Sequence, residues 1–228
     1  MTTDSLPRDA GPRCLLRLNS VAAGVGNLGP SPAAVLWCQG CEHRPCRQCM
    51  SPETWNPAAG AGADVVDVAR WLDTTASRFL TVSGGEPFEQ AAGLNGLLRL
   101  LGDEWIVTVY TGFDLAPLRA GAEPEVAALL GRVDLLIAGP YVPERHAPLL
   151  WRGSDNQQIH NLTGRAPVPR HDVTAGVTVQ LTEAGIEAIG VPPAPGFLPI
   201  LRAQARQRGI RLRRSDAPRT FPFPVQES

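Results

Sequence analysis

There is no lysine among the 228 residues; all 21 basic residues are arginine. Chemistry that needs a lysine amine, such as Schiff-base formation, is therefore excluded, and the bias itself reads as a matter of coding rather than function. An excess of either charge is also missing. The net charge is −1, which gives no footing for a nucleic acid or other polyanionic partner. The N-terminal stretch from Met1 to Arg13 is polar, carries Pro and Gly, and contains no apolar signal core. No apolar run approaches the length of a membrane span. The expectation is a soluble, cytoplasmic protein without membrane attachment. With 43% hydrophobic residues, the chain suffices for one domain with a sizeable core or for two small ones. Five cysteines are too few for a disulfide scaffold at this size. Four of them nevertheless fall between Cys38 and Cys49, and clustered thiols in a reducing compartment point to metal or redox chemistry. Asn161-Leu162-Thr163 fits a glycosylation acceptor, but without a secretory signal it carries no weight.

Periodicity predicts an alternation of strands and helices. Leu15 to Val21 and Ala33 to Cys38 read as short strands joined by a Gly/Pro loop. A loop rich in Ala, Gly and Pro follows the cysteines, from Pro52 to Ala63. Asp64 can cap a helix reaching to about Ser77, with Val65, Val68, Ala69 and Leu72 on one face. Phe79 to Val82 is a strand ending at Gly84-Gly85, and Glu89 to Leu101 a second amphipathic helix. Trp105 to Tyr110 is a strand ending at Thr111-Gly112; Pro124 to Leu130 is helical, and Val133 to Ile137 is a strand. This order implies an α/β fold: a partial (β/α) barrel or an open parallel sheet with helices packed on it. Functional residues in such folds gather at the C-terminal ends of the strands. The cysteine loop, Gly84-Gly85 and Thr111-Gly112 are all expected there.

Residues 1–164 are expected to form this core, and 165–228 a C-terminal extension. In the extension, Arg165 to Thr174 reads as a linker, Gly176 to Leu181 and Ile186 to Val191 as a hairpin, and Phe197 to Gln207 as a helix. Arg213 to Ser228 is Pro-rich and polar, and is expected to be a mobile tail.

The thiols are spaced Cys38-x2-Cys41-x4-Cys46-x2-Cys49. Three readings compete: a structural zinc site, a fully ligated electron-transfer cluster, and a cluster held by three cysteines with one iron open. Zinc knuckles usually lie further apart. The strand ending in Ser83-Gly84-Gly85-Glu86-Pro87 adds a second feature. Paired glycines let a ligand approach the backbone, and a carboxylate with exposed carbonyls suits an ammonium group. Taken alone, that segment would read as an ordinary strand-to-helix turn.

Together these residues resemble the radical S-adenosylmethionine (SAM) superfamily, and within it the activating enzymes of anaerobic ribonucleotide reductase. Gln39-Gly40-Cys41 through Cys46 and Cys49, then Pro52-Glu53-Thr54-Trp55, is similar to the family's cluster loop, with one extra residue between the first two ligands. Gly84-Gly85-Glu86-Pro87, Tyr110-Thr111-Gly112-Phe113, Asp134 to Tyr141 and Trp151-Arg152-Gly153-Ser154-Asp155-Asn156-Gln157 look like its further motifs, in the family's order. The resemblance covers about Leu15 to Thr163.

It implies a [4Fe–4S] cluster on Cys41, Cys46 and Cys49, with SAM chelating the open iron. Reductive cleavage would give a 5′-deoxyadenosyl radical that takes a hydrogen atom, in the activases from a glycine of a partner glycyl radical enzyme. A flavodoxin- or ferredoxin-type protein would donate the electron. Ser83, Gly84, Gly85 and Glu86 would receive the methionine amino group, Thr111 would line the SAM pocket, and Asn156 and Gln157 would contact cofactor or partner. No catalytic side chain beyond the cluster and SAM is implied. Cys38 is expected to be a buried thiol and His43 a partly exposed loop residue. The rival readings are a radical SAM enzyme acting on a peptide or small metabolite, and, in another class, a non-catalytic iron–sulfur or zinc-binding module. Gly24-Val25-Gly26-Asn27-Leu28-Gly29 fits a dinucleotide fingerprint, but Pro30 and Pro32 follow directly, so a loop is expected rather than the helix that fingerprint needs.

Overall fold

The computed structural model describes residues 14–42, 46, 49–121, 123–171, 176–182, 185–194, 197–210 and 220–227. His43, Pro45 and parts of the expected linker and tail lie outside these residues. The strands are β1 (Leu15–Val25), β2 (Ala33–Cys38), β3 (Ala61–Asp64), β4 (Phe79–Gly84), β5 (Ile106–Thr111), β6 (Leu135–Ala138), β7 (His146–Leu149), β8 (Arg152–Ser154), β9 (Gln158–Asn161), β10 (Val177–Thr182), β11 (Gly185–Gly190) and β12 (Val225–Glu227). The helices are α1 (Val65–Asp73), α2 (Ala91–Leu101), α3 (Leu115–Ala120), α4 (Pro124–Leu130) and α5 (Phe197–Gln207). Among the described residues, no helix is long and apolar enough to cross a membrane.

Eight strands form one open sheet in the order β12-β3-β1-β2-β4-β5-β6-β9. Its centre, β2-β4-β5-β6, is parallel, as an α/β fold requires. The flanking pairings of β1 with β2 and β3, β12 with β3, and β9 with β6 are antiparallel, so the sheet is mixed. Cys38 pairs with Gly84 and Thr111 with Ala138, so the carboxyl ends of the central strands finish side by side. That edge carries the site.

One face of the sheet is covered by helices. The Asp64 side chain accepts a hydrogen bond from Val66 N at 2.9 Å, occupying one of the free donors at the start of α1. The buried face of α1 is Val65, Val68, Ala69 and Leu72, as its period predicts. The expected helix from Glu89 starts differently. Pro87–Gln90 forms a 3₁₀ turn whose Phe88 N–H is capped by the Glu86 carboxylate, and α2 begins at Ala91. α2 presses against β1: a Cβ on Gly93 would lie 2.8 Å from Leu16 Cδ2 and 2.9 Å from the Leu15 carbonyl oxygen.

The opposite face is covered by loops and the C-terminal segment. Val25, Leu28, Val35 and Ile189 form one apolar cluster there, and Leu135, Ile137, Leu150, Trp151 and Ala166 another. β10 and β11 form the expected hairpin. The mobile tail is corrected over residues 220–227. Phe221 and Phe223 pack on the main core, Phe223 lies 5.8 Å from the Trp71 ring, and β12 pairs with β3. Packing two partly buried aromatic rings on the core outweighs the polar, Pro-rich composition that suggested mobility. The expected loop over 52–63 is also corrected at its end. Ala61 to Asp64 is strand β3, held between β1 and β12.

Candidate metal and cofactor centre

The chain leaves β2 at Cys38 and turns into the cysteine loop through Gln39 and Gly40. Gln39 is fully buried and anchors this turn. Its Nε2 donates to the carbonyls of Glu53 (3.0 Å) and Asn56 (2.8 Å), while its Oε1 accepts from Asn19 Nδ2 (2.9 Å). Gly40 N and Cys41 N donate to the carbonyls of Thr54 and Trp55, so the two ends of the loop are tied together. Glu42 N donates to the Glu89 carboxylate at 2.9 Å. The loop start is thereby fixed before the thiols are considered.

The double glycine closes against this turn. Gly85 N donates to the Cys38 carbonyl and Glu86 N to the Gly40 carbonyl, both at 2.8 Å. Gly84 has φ of +100°, a conformation side chains resist. A Cβ on Gly85 would lie 2.0 Å from the Gly40 carbonyl oxygen. Gly85→Ala must therefore push β4's end away from the turn that carries Cys41. The expected cost is roughly 1–3 kcal/mol, read by denaturant unfolding, together with poorer iron uptake; unchanged values for both would refute this account of the contact.

Cys41, Cys46 and Cys49 line one cavity, together with Ser83, Gly84, Gly85, Glu86, Thr111 and Gln157. Tyr110, Tyr141, Met50 and Trp55 complete much of its wall. Cys46 Sγ accepts from Tyr141 N and Cys49 Sγ from Ser51 N, each at 3.3 Å. Burial pushes both thiols up from their ordinary values. The Tyr141 N–H opposes this at Cys46, and the Ser51 N–H and Trp55 side chain oppose it at Cys49. Bound cationic metal is the natural counterweight, because it stabilises the thiolate directly. Cys38 is apart from this set. It is fully buried in the core and its thiol is pushed up to about 12, first by burial and then by the Glu86 charge.

The donor chemistry fits an iron–sulfur cluster. Three soft sulfur donors around one cavity can ligate three irons of a cubane, leaving one iron for another ligand. Among the described residues, no group of three His, Cys, Asp or Glu side chains is arranged to hold a single ion. The backbone donors to Cys46 and Cys49 are of the kind that orient and tune such ligands.

Glu86 is buried and ties three segments together. Oε1 accepts from Phe88 N (3.0 Å) and Thr111 Oγ1 (2.9 Å), and Oε2 accepts from Gly112 N (2.9 Å). A carboxylate has about four acceptor positions, so Oε2 retains capacity for a further donor. Burial raises its pKa to about 7 despite the three donors. Thr111 is oriented by the same bond, and its hydroxyl also accepts from Phe113 N.

Asn156 is placed differently. It lines a neighbouring polar cleft with Arg145, Arg152 and Asp155, and its Nδ2 donates to the Pro140 carbonyl at 2.8 Å. Gln157 donates to the Gly139 carbonyl at 3.1 Å and accepts from Gly153 N and Ser154 N. These two amides hold the turn after β6, from which Tyr141 reaches Cys46. Gln39, Glu89 and Tyr141 were not singled out as site residues by sequence. Tyr141 acts on the thiol through its backbone, which leaves no side-chain signature.

The family described as a 4Fe-4S single cluster domain matches residues 27–160, more than half of the chain. The chain is 33% identical over 150 residues to an anaerobic ribonucleoside-triphosphate reductase-activating protein of Vibrio cholerae, covering 59% of this chain and 91% of the relative. Proteins of the same description from Escherichia coli K12 (31% over 150 residues, 59% and 91% covered) and Enterobacteria phage T4 (29% over 143 residues, 59% and 87% covered) are also similar. The hairpin, α5 and β12 lie beyond the family match. With its cysteine-lined cavity at the carboxyl ends of the parallel central strands, the chain belongs to the 4Fe–4S single cluster domain family and to the anaerobic ribonucleoside-triphosphate reductase-activating proteins.

Proposed function

We propose that this protein is a radical SAM activase whose substrate is a glycine of a partner anaerobic ribonucleotide reductase. The observation that carries this reading is the meeting, in one cavity, of Cys41, Cys46 and Cys49 with Ser83, Gly84, Gly85 and Glu86. Its relatives' names supply the partner. The three thiols would hold a [4Fe–4S] cluster. When bound, that group would supply the electron for reductive cleavage of SAM to methionine, the source of a 5′-deoxyadenosyl radical able to take hydrogen from the glycine. The chain's own part is position and exclusion of water. Ser83, Gly84 and Gly85 present a strand end to the methionine ammonium, with the spare acceptor position of Glu86 Oε2 beside them. Thr111 holds that carboxylate in place, and Asn156 and Gln157 position the Gly139–Tyr141 wall. A flavodoxin or ferredoxin would deliver the electron.

The test is anaerobic reconstitution with iron and sulfide, addition of dithionite and SAM, and quantification of 5′-deoxyadenosine. Wild type is expected to form it, and a Cys41→Ala, Cys46→Ala, Cys49→Ala triple variant to form none. Adding an anaerobic reductase should then give a glycyl radical signal by electron paramagnetic resonance. Tight zinc in place of iron would overturn the reading.

A further inference from the structure

Tyr110 stands on β5, where side chains alternate between the helix-covered face and the opposite one. Val107 and Val109 point to the helix side, in the main core. Tyr110 points the other way, and its ring packs against both apolar clusters of that face, the one around Ile189 and the one around Ile137. Thr81 pairs with Thr108 and Val82 with Val109, so Ser83 and Tyr110 come next, side by side on the same face. Both line the cysteine cavity.

The ring is accounted for by packing, but its hydroxyl is not. The Tyr110 oxygen is buried and has no hydrogen-bond partner among the described residues. Burial also disfavours its ionised form, so it remains a neutral O–H donor. A buried, unpaired hydroxyl is costly, and Phe would fill the same apolar space without that cost. Buried tyrosines usually find a partner for the hydroxyl.

We propose that the Tyr110 hydroxyl donates a hydrogen bond to the cofactor bound in this cavity, making Tyr110 a binding residue that positions it. On the reading of the preceding section, on which this inference rests, that cofactor is SAM, a sulfonium nucleoside amino acid rich in oxygen acceptors. On this proposal the hydroxyl finds no partner among the described residues because its partner arrives with the ligand.

The experiment compares full-length, cluster-loaded wild type with Tyr110→Phe under anaerobic, non-reducing conditions, where SAM binds without being consumed. Isothermal titration gives the SAM dissociation constant, and thermal unfolding without SAM gives the stability. The variant is expected to bind SAM roughly three- to tenfold more weakly, with a melting temperature unchanged or raised. Equal affinity would overturn the proposal. So would a lower melting temperature without SAM, because the hydroxyl would then be serving the fold. Failure of the wild type itself to bind SAM would overturn the radical SAM reading, and the inference with it; that result is distinct because the loss precedes any substitution.

Discussion

Alanine at Cys41, Cys46 or Cys49, one at a time, is expected to reduce bound iron and sulfide after anaerobic reconstitution from about four of each per chain to near zero. Cys38→Ala is expected to leave both near the wild-type level. The contrast follows from where the thiols stand. The first three line one cavity, and two of them already accept backbone N–H groups. A site built on three thiolates has none to spare, and burial makes a lone thiolate unfavourable without the metal. Cys38 instead packs in the core beneath the double glycine. Its truncation removes one buried sulfur, a cost of about 1 kcal/mol, with no donor lost from the cavity. Iron and sulfide analysis with the visible absorption of the cluster checks all four variants. Loss of the cluster from Cys38→Ala would make Cys38 a ligand and leave no open iron for SAM.

What was legible in the sequence was mostly local. The face of α1, the hairpin β10–β11 and the span of α5 follow from period and turn residues within a few positions of one another. The gathering of the cysteine loop, Gly84-Gly85 and Thr111 at one sheet edge was also readable, because parallel α/β topology sends consecutive strand ends to the same side. The remainder depended on distant partners. β3 has the composition of a loop, and it is a strand only because Leu15 to Leu18 and residues 225–227 pair with it. β9 is four residues long and is defined by its pairing with β6. Gln39 was visible as a letter in a motif, but its anchoring role needs acceptors 14 and 17 residues away. Asn156 looked suited to contacting cofactor or partner; its amide nitrogen is engaged with Pro140, and the residue lines the adjoining cleft. Short strands and backbone-mediated contacts carry little signature, since their energy comes from tertiary pairing rather than from their own residues.

Glu86→Gln is expected to stabilise the cluster-free protein at pH 8 while changing it far less at pH 5. Burial, opposed by the Gly112, Phe88 and Thr111 donors and reinforced by the Glu89 charge, raises the Glu86 pKa from 4.5 to about 7. Below pH 4.5 the carboxyl is protonated in both folded and unfolded chains, and the shift has no effect on stability. Between 4.5 and 7 the unfolded chain releases its proton first, so rising pH favours unfolding. Above 7 both states are ionised and the full penalty, about 3 kcal/mol, remains. Glutamine keeps the shape without titrating. Its amide group must still face the Gly112 N–H or the Phe88 and Thr111 donors, so part of the gain is lost to one mismatched contact. The wild type should therefore lose about 2–3 kcal/mol relative to the variant between pH 5 and pH 8, measured by denaturant unfolding of both proteins without iron. Parallel pH profiles would show that the three donors fully compensate the buried charge. A carboxylate that costs the fold stability at neutral pH, yet keeps an acceptor position free at the cavity, is suited to receiving a cation from a ligand. Glu86→Gln should accordingly weaken SAM binding to the cluster-loaded protein under the conditions in which it strengthens the cluster-free fold.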